Sequence, residues 1–427
     1  MKYTAYILTV LIAVGGLFVT RAATAQDAFQ PQFFRPYDQS GINVFEDPKA
    51  DTVAFEGFNV RWGAAFTQQF QGLDHSNEAD DVIVDGLNVN ALPDMGWGFN
   101  TATANLNLDA QLADGIRVNL ITYLSSRHHS EAWVKGGYLS INKLPMLNNA
   151  ALDDLMEFVT LRVGHFEINY GDAHFRRTDN GNAMYNPFVG NLIMDSFTTE
   201  IGGEVYVRSN GLMTMGAITN GEIKGAVLNP DSRAPAFYGK LGFDRELSED
   251  LRVRLTGSAY TTAKSANNTL FSGDRAGSRY YEVMGEGFTS GRVQPGFRSE
   301  VTSFQINPFV KIRGLELFGV IETTSGANAG ESDTRTWNQF AAEAIYRFAP
   351  REQLFVGARY NTLSGELAGS GTEVSIDRIQ VGGGWFVTSR VLMKLEYVMQ
   401  NYNDYPSTNA LHEGEFNGIV IEGVVAF

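Results

Sequence analysis

Hydrophobic and polar residues alternate over many short stretches of the chain, and the period is two. From Val391 to Gln400 the set Val391, Met393, Leu395, Tyr397 and Met399 is apolar, while Lys394, Glu396 and Gln400 stand between. Leu251, Val253 and Leu255 alternate with Arg252, Arg254 and Thr256, and Ile116, Val118 and Leu120 alternate with Arg117 and Asn119. Successive side chains of a strand point to opposite faces, so each stretch predicts a strand with one apolar and one polar face. Sixteen such strands fit between residues 55 and 427. Their connections segregate. Those after even strands are short, as at Ala113-Asp114, Asn210 and Arg313-Gly314, whereas those after odd strands are mostly long, as at 71–95, 171–198 and 263–298. A short link near His128 to Ser130 and a longer one from Pro145 to Met156 break the rule. This segregation predicts an all-β, transmembrane antiparallel β-barrel of about sixteen strands, with long loops on the outer side and short periplasmic turns. Eighteen strands result if segment 263–298, which contains Tyr280-Tyr281-Glu282-Val283, adds a membrane hairpin.

The ends of the chain agree with an exported barrel. Residues 1–25 read as a signal peptide, with Lys2, an apolar run from Ile7 to Val19 and the small-residue site Ala23-Thr24-Ala25. Losing Lys2 and Arg21 leaves 31 of the 33 basic residues against all 48 acidic ones, so nucleic acid is not an expected partner. There is no cysteine, hence no disulfide framework and no lipid attachment through a thiol. The final strand closes on Phe427, preceded at the same parity by Val425, Ile421 and Ile419. A terminal Phe resembles the recognition signal of the barrel-assembly machinery, although Val425 stands where a second aromatic residue is usual. Residues 26–54, rich in Phe, Tyr and Pro, read as an N-terminal leader, with a plug in the lumen as the other reading.

The segment Leu161-Arg162-Val163-Gly164-His165-Phe166-Glu167-Ile168-Asn169-Tyr170-Gly171 resembles a strand of Gram-negative outer-membrane porins of the phosphate-selective porin O and P class. Its apolar parity switches between Val163 and Phe166, which a bulge near Gly164 would allow. The resemblance implies an outer-membrane location, a homo-trimer by analogy, and a loop after strand 5 that folds inward to narrow the pore. That loop is 172–198, and its candidate constriction residues are Asp172, His174, Arg176, Arg177, Asp179 and Tyr185. Arg and Asp at close spacing would set up a transverse field there.

The candidate pore wall follows from the polar parity: Arg117, Arg162, Glu167, Arg252, Arg254, Lys394 and Glu396. A further set, including Arg208, Lys240, Arg359, Asp109, Glu204, Glu316, Glu343 and Glu422, shares that parity, and the balance leans basic. Charges facing hydrocarbon cost roughly 2 to 4 kcal/mol at mid-membrane, so these side chains are expected to face a wet lumen. Sixteen strands leave room for an aqueous channel. The reading is therefore a porin for passive diffusion of small hydrophilic solutes or ions, weakly anion-preferring, in contact with outer-membrane lipid. The chain carries no nucleotide-binding or nucleophile-elbow motif and no metal-ligand spacing around His75, His128, His129, His165, His174 or His412, so neither cofactor, metal nor catalysis is expected. A barrel lipid hydrolase and a plugged surface-binding barrel are the rival classes.

Overall fold

The computed structural model describes residues 29–125, 132–225 and 227–427. Residues 1–30 and Pro31–Phe427 are separate units, and everything below concerns the second. The expected signal segment and His128 and His129 lie outside the described residues.

Sixteen long strands follow one another: β1 Asn59–Ser76, β2 Thr103–Ala113, β3 Ile116–Ser125, β4 Trp133–Ile141, β5 Val159–Glu167, β6 Thr199–Ser209, β7 Leu212–Thr219 and β8 Ala236–Ser248. The second half comprises β9 Leu251–Thr262, β10 Glu300–Ile312, β11 Leu315–Ala327, β12 Arg335–Phe348, β13 Leu354–Glu366, β14 Glu373–Thr388, β15 Val391–Asn403 and β16 Glu415–Ala426. Each pairs antiparallel with the next, and the sheet closes when β1 pairs with β16 from Ala65↔Ala426 to Ser76↔Glu415. Closure removes the unpaired edges that an open sheet would present. The backbone N–H of Phe427 adds a bond to the Ala64 carbonyl, 3.0 Å. Among the described residues no helix is long and apolar enough to cross a membrane.

The even-numbered turns are tight for local reasons. Asn210 and Gly211, between β6 and β7, both have positive φ (51° and 81°), the pairing that matches the twist of a two-residue hairpin. The long link after β4 holds the short helix α1, Ala150–Met156, capped by the Asn149 side chain, which accounts for its length. The segment 263–299 contributes no strand to the barrel.

Outward parity behaves as read from sequence. Leu212, Leu241, Leu255, Ile306, Ile321, Val356 and Leu395 are exposed around the barrel, forming an apolar belt. Inward parity does not. Gln69, Asp109, Arg117, Lys135, Glu204, Lys240, Arg254, Glu316, Glu343, Arg359, Arg378, Lys394 and Glu422 face inward on thirteen different strands, yet each is 5% exposed or less. The expected wet lumen is therefore replaced by a filled one. Nor is there a bulge at Gly164: the register of β5 runs unbroken against both neighbours. Phe166, Ile168 and Tyr170 point inward and join the apolar cluster inside the barrel, so the parity switch marks inward apolar packing and not a change of face. Gly164 (φ 141°) is required by close approach, since a Cβ there would stand 2.5 Å from the Gly137 carbonyl oxygen.

Candidate functional site

Three segments fill the lumen. At the end bearing the short turns lies the leader, residues 31–53. Across the middle runs the β5–β6 loop, 168–198, and from the opposite end the β9–β10 loop, 263–299, folds down onto it.

Apolar anchors and the need to satisfy backbone groups hold the middle segment. Val189, Ile193, Met194 and Phe197 are at most 2% exposed. The N–H of Val189 donates to the Glu396 carboxylate, 2.7 Å, and those of Ile193 and Met194 donate to the side chains of Asn361 and Gln339, 2.7 and 3.0 Å. Lys394 donates to the carbonyls of Ala183, Asn186 and Phe188 and is paired with Glu422 on β16. Glu396 also accepts from the Tyr280 hydroxyl, 2.6 Å, which ties the β9–β10 loop to the same point.

All six residues expected at the constriction lie in this loop and all are engaged. Asp172 accepts from Arg254, 2.8 and 2.9 Å, from Lys240, 2.9 Å, and from Thr256, 2.8 Å. Burial opposes its charge, but Arg254 and Lys240 outweigh burial and hold the carboxyl down at about 2. His174 sits between Glu167, 2.7 Å, and Asn169, 3.0 Å, and burial lowers its pKa although Glu167 pulls the other way. Arg176 reaches Asn43 of the leader and lies 3.5 Å from both Glu316 and Glu343. Arg177 joins two loops, with Asp195 and Asp274 each 2.6 Å from its Nη2. Asp179 pairs with Lys135 of β4, 2.5 Å, and accepts from Tyr123. The Tyr185 hydroxyl donates to the Pro36 carbonyl, and the Arg35 guanidinium lies 3.8 Å over its ring.

The wall residues read from sequence fall into the same network. Arg117 pairs with Asp109, 2.5 Å; Arg162 with Glu204, 3.2 Å; Arg252 with Asp244, 2.7 Å; and Arg254 with Asp172 and Asp244. Glu167 pairs with Lys135, 2.8 Å. Sequence reasoning gave a plug in the lumen only as the second reading of residues 26–54 and named none of its contacts. Glu46 accepts from Arg254, 2.9 Å, and Asp47 from Arg117, 2.9 Å, while the Asp47 carbonyl accepts from Arg208 at 2.5 Å. The signal available was two adjacent acids inside an aromatic segment. A cavity of about 160 Å³ remains between the leader, β2 to β6 and the β5–β6 loop, with Arg117, Arg162, His174, Glu46 and Asp47 on its walls. Among the described residues no three His, Asp or Glu side chains are placed to hold a metal.

No protein-family model matches the chain, and no curated protein matches it in sequence. Solved structures match its fold. The trimer form of OmpT, an outer membrane protein of Vibrio cholerae, superposes with a TM-score of 0.51 at 12% identity, covering 87% of this chain and 100% of that one. An anion-selective porin from Comamonas acidovorans gives 0.50 at 11% identity, with 87% and 100% covered, and the outer membrane channel DcaP of Acinetobacter baumannii gives 0.51 at 10%, with 88% and 99% covered. At such identities the likeness is one of fold: this chain is a porin-like, sixteen-stranded barrel.

Proposed function

We propose that the chain is a passive outer-membrane channel of a Gram-negative bacterium for small hydrophilic solutes, with a modest preference for anions, described here with its lumen closed. The ionised inward wall carries this reading. A barrel that needed only to be solid would do as well or better with apolar filling, because replacing buried ion pairs by well-packed hydrophobic residues is often neutral or stabilising. Rings of charge suit the selection of solutes in transit. Asp172, His174, Arg176, Arg177, Asp179 and Tyr185 form the constriction, and Arg117, Arg162, Glu167, Arg252, Arg254, Lys394 and Glu396 the wall along which solutes pass. An anion-selective porin and an outer membrane channel among the similar folds support the same reading, as the trimeric OmpT supports a homo-trimer. Residues 1–25 direct export, and the strand ending in Phe427 addresses the barrel-assembly machinery.

The test is single-channel recording in planar bilayers on the refolded chain from Gln26 and on a version lacking Arg176–Met194. Brief openings in the full chain and larger, longer steps in the shortened one are expected, with reversal potentials in a salt gradient on the anion side. Silence from both folded barrels overturns the channel; cation-side reversal overturns the anion preference alone.

A further inference from the structure

The leader sets two consecutive carboxylates into a group of six cations. Asp47 lies 2.9 Å from Arg117 and 3.5 Å from Arg162, and Glu46 receives two bonds of 2.9 Å from Arg254 and lies 3.6 Å from Lys240. Arg208 and Arg252 complete the group by donating to the backbone carbonyls of Asp47 and Asn43. Apart from the leader, the barrel and its loop supply four carboxylates to these cations: Asp109, Glu204, Asp244 and Asp172. The patch therefore carries two positive charges in excess, and Glu46 and Asp47 balance them. Every one of these cations except Arg208 keeps a carboxylate when the leader is taken away. The leader's acids are thus additional partners in an otherwise paired wall, and Arg208 is held by the Asp47 backbone carbonyl and the Thr160 hydroxyl. The leader also has a joint on which to move: residues 54–58 before β1 are largely exposed, and Gly57 has φ 99° with open space around it.

Resting on the channel reading, we propose that residues 31–53 are a built-in ligand: the Glu46–Asp47 pair occupies a basic patch that receives a small dicarboxylate solute, and leader and solute compete for it. Two acids on adjacent residues offer the charge of such a solute, and the arginine forks favour carboxylate geometry. The patch borders the cavity described above, so a solute has room to begin engaging Arg117 and Arg162 before the leader departs.

The chain contains no cysteine, so one introduced thiol reports cleanly. Ser140 on β4 is buried and stands in register between Arg117 and Arg162. Ser140→Cys is labelled with a neutral hydrophilic maleimide in the folded mature chain, alone, with Glu46→Gln and Asp47→Asn added, and with succinate. Labelling is expected to be slow in the parent and at least tenfold faster in the charge variant. Succinate should accelerate the parent saturably, beyond sodium chloride of equal ionic strength, and leave the charge variant unchanged. An unaltered rate in a folded charge variant overturns the built-in ligand, and succinate no better than sodium chloride overturns the dicarboxylate site without needing any charge variant to fold. Labelling is read without current, so the two readings separate: release of the leader in a barrel that never conducts sinks the channel, and conduction with labelling unmoved sinks the plug.

Discussion

The two segments that meet in the lumen, the leader and the β5–β6 loop, differ in how much of the wall's hydrogen bonding is built around them. The loop buries apolar side chains, and the wall depends on it: Lys394 and Arg359 spend donors on its carbonyls, and Glu396 accepts its backbone N–H groups. Arg177 at its centre binds acids of two loops at once. The leader buries Phe33, Phe34 and Phe45 and packs Ile42 against a second cluster, but it supplies no apolar residue to the largest one, and the wall cations its two acids meet are already paired elsewhere. The comparison teaches that occupying a lumen and supporting it are separable, since the wall depends on the loop far more than on the leader.

The hardest test of that difference is Arg177→Met. It leaves Asp195 and Asp274 buried without their shared cation, and breaking a buried pair in this way costs about 3 to 5 kcal/mol. Denaturant unfolding in detergent should show a loss of that size. Next comes acid. Asp172, ordinarily near ~3.9 in an unfolded chain, is held at about 2 in the folded one. The folded state thus releases this proton more readily, and the stabilisation is present above the unfolded pKa of ~3.9 and fades as pH falls toward ~2. Near-UV circular dichroism should report loosening of the loop in that window, and Asp172→Asn should weaken the dependence, with Glu46, held down by the same Arg254 and Lys240, accounting for part of what remains. The smallest effect belongs to Glu46→Gln with Asp47→Asn, whose cost should not exceed about half that of Arg177→Met, because Arg117, Arg162, Lys240, Arg252 and Arg254 each keep another carboxylate and Arg208 keeps the Asp47 backbone carbonyl. A loss equal to that of Arg177→Met would erase the distinction between the two segments.

The wall was legible in the sequence because its two faces meet different surroundings. Val391 to Gln400 shows the alternation, and β15 spans Val391–Asn403. The lumen was less legible. A charge facing water and a charge facing buried partners are the same letter at the same parity, so Arg254 and Glu396 read as wet residues although both are buried, Arg254 in ion pairs and Glu396 under hydrogen bonds from the loops. Phe166, Ile168 and Tyr170 carried the missing information: inward apolar side chains require something to pack against. The plug was only the second reading of the leader because its contacts, such as Asp47 with Arg117, join residues 70 positions apart with no periodic signal.

The seam of the barrel places a constraint on the order of events in assembly. Ala65 pairs with Ala426, so the wall becomes a tube only when nearly the whole chain has been made. Contacts this distant in sequence are slow to form. Until then β1 offers one bare edge and β15 another, and the first residues of the unit, already present, must find the inside of a cylinder that does not yet exist. Either they settle against the growing wall before the seam shuts, or they enter later through the mouth ringed by the short turns. A chain stopped before β16 would have a full complement of filling and no vessel to hold it.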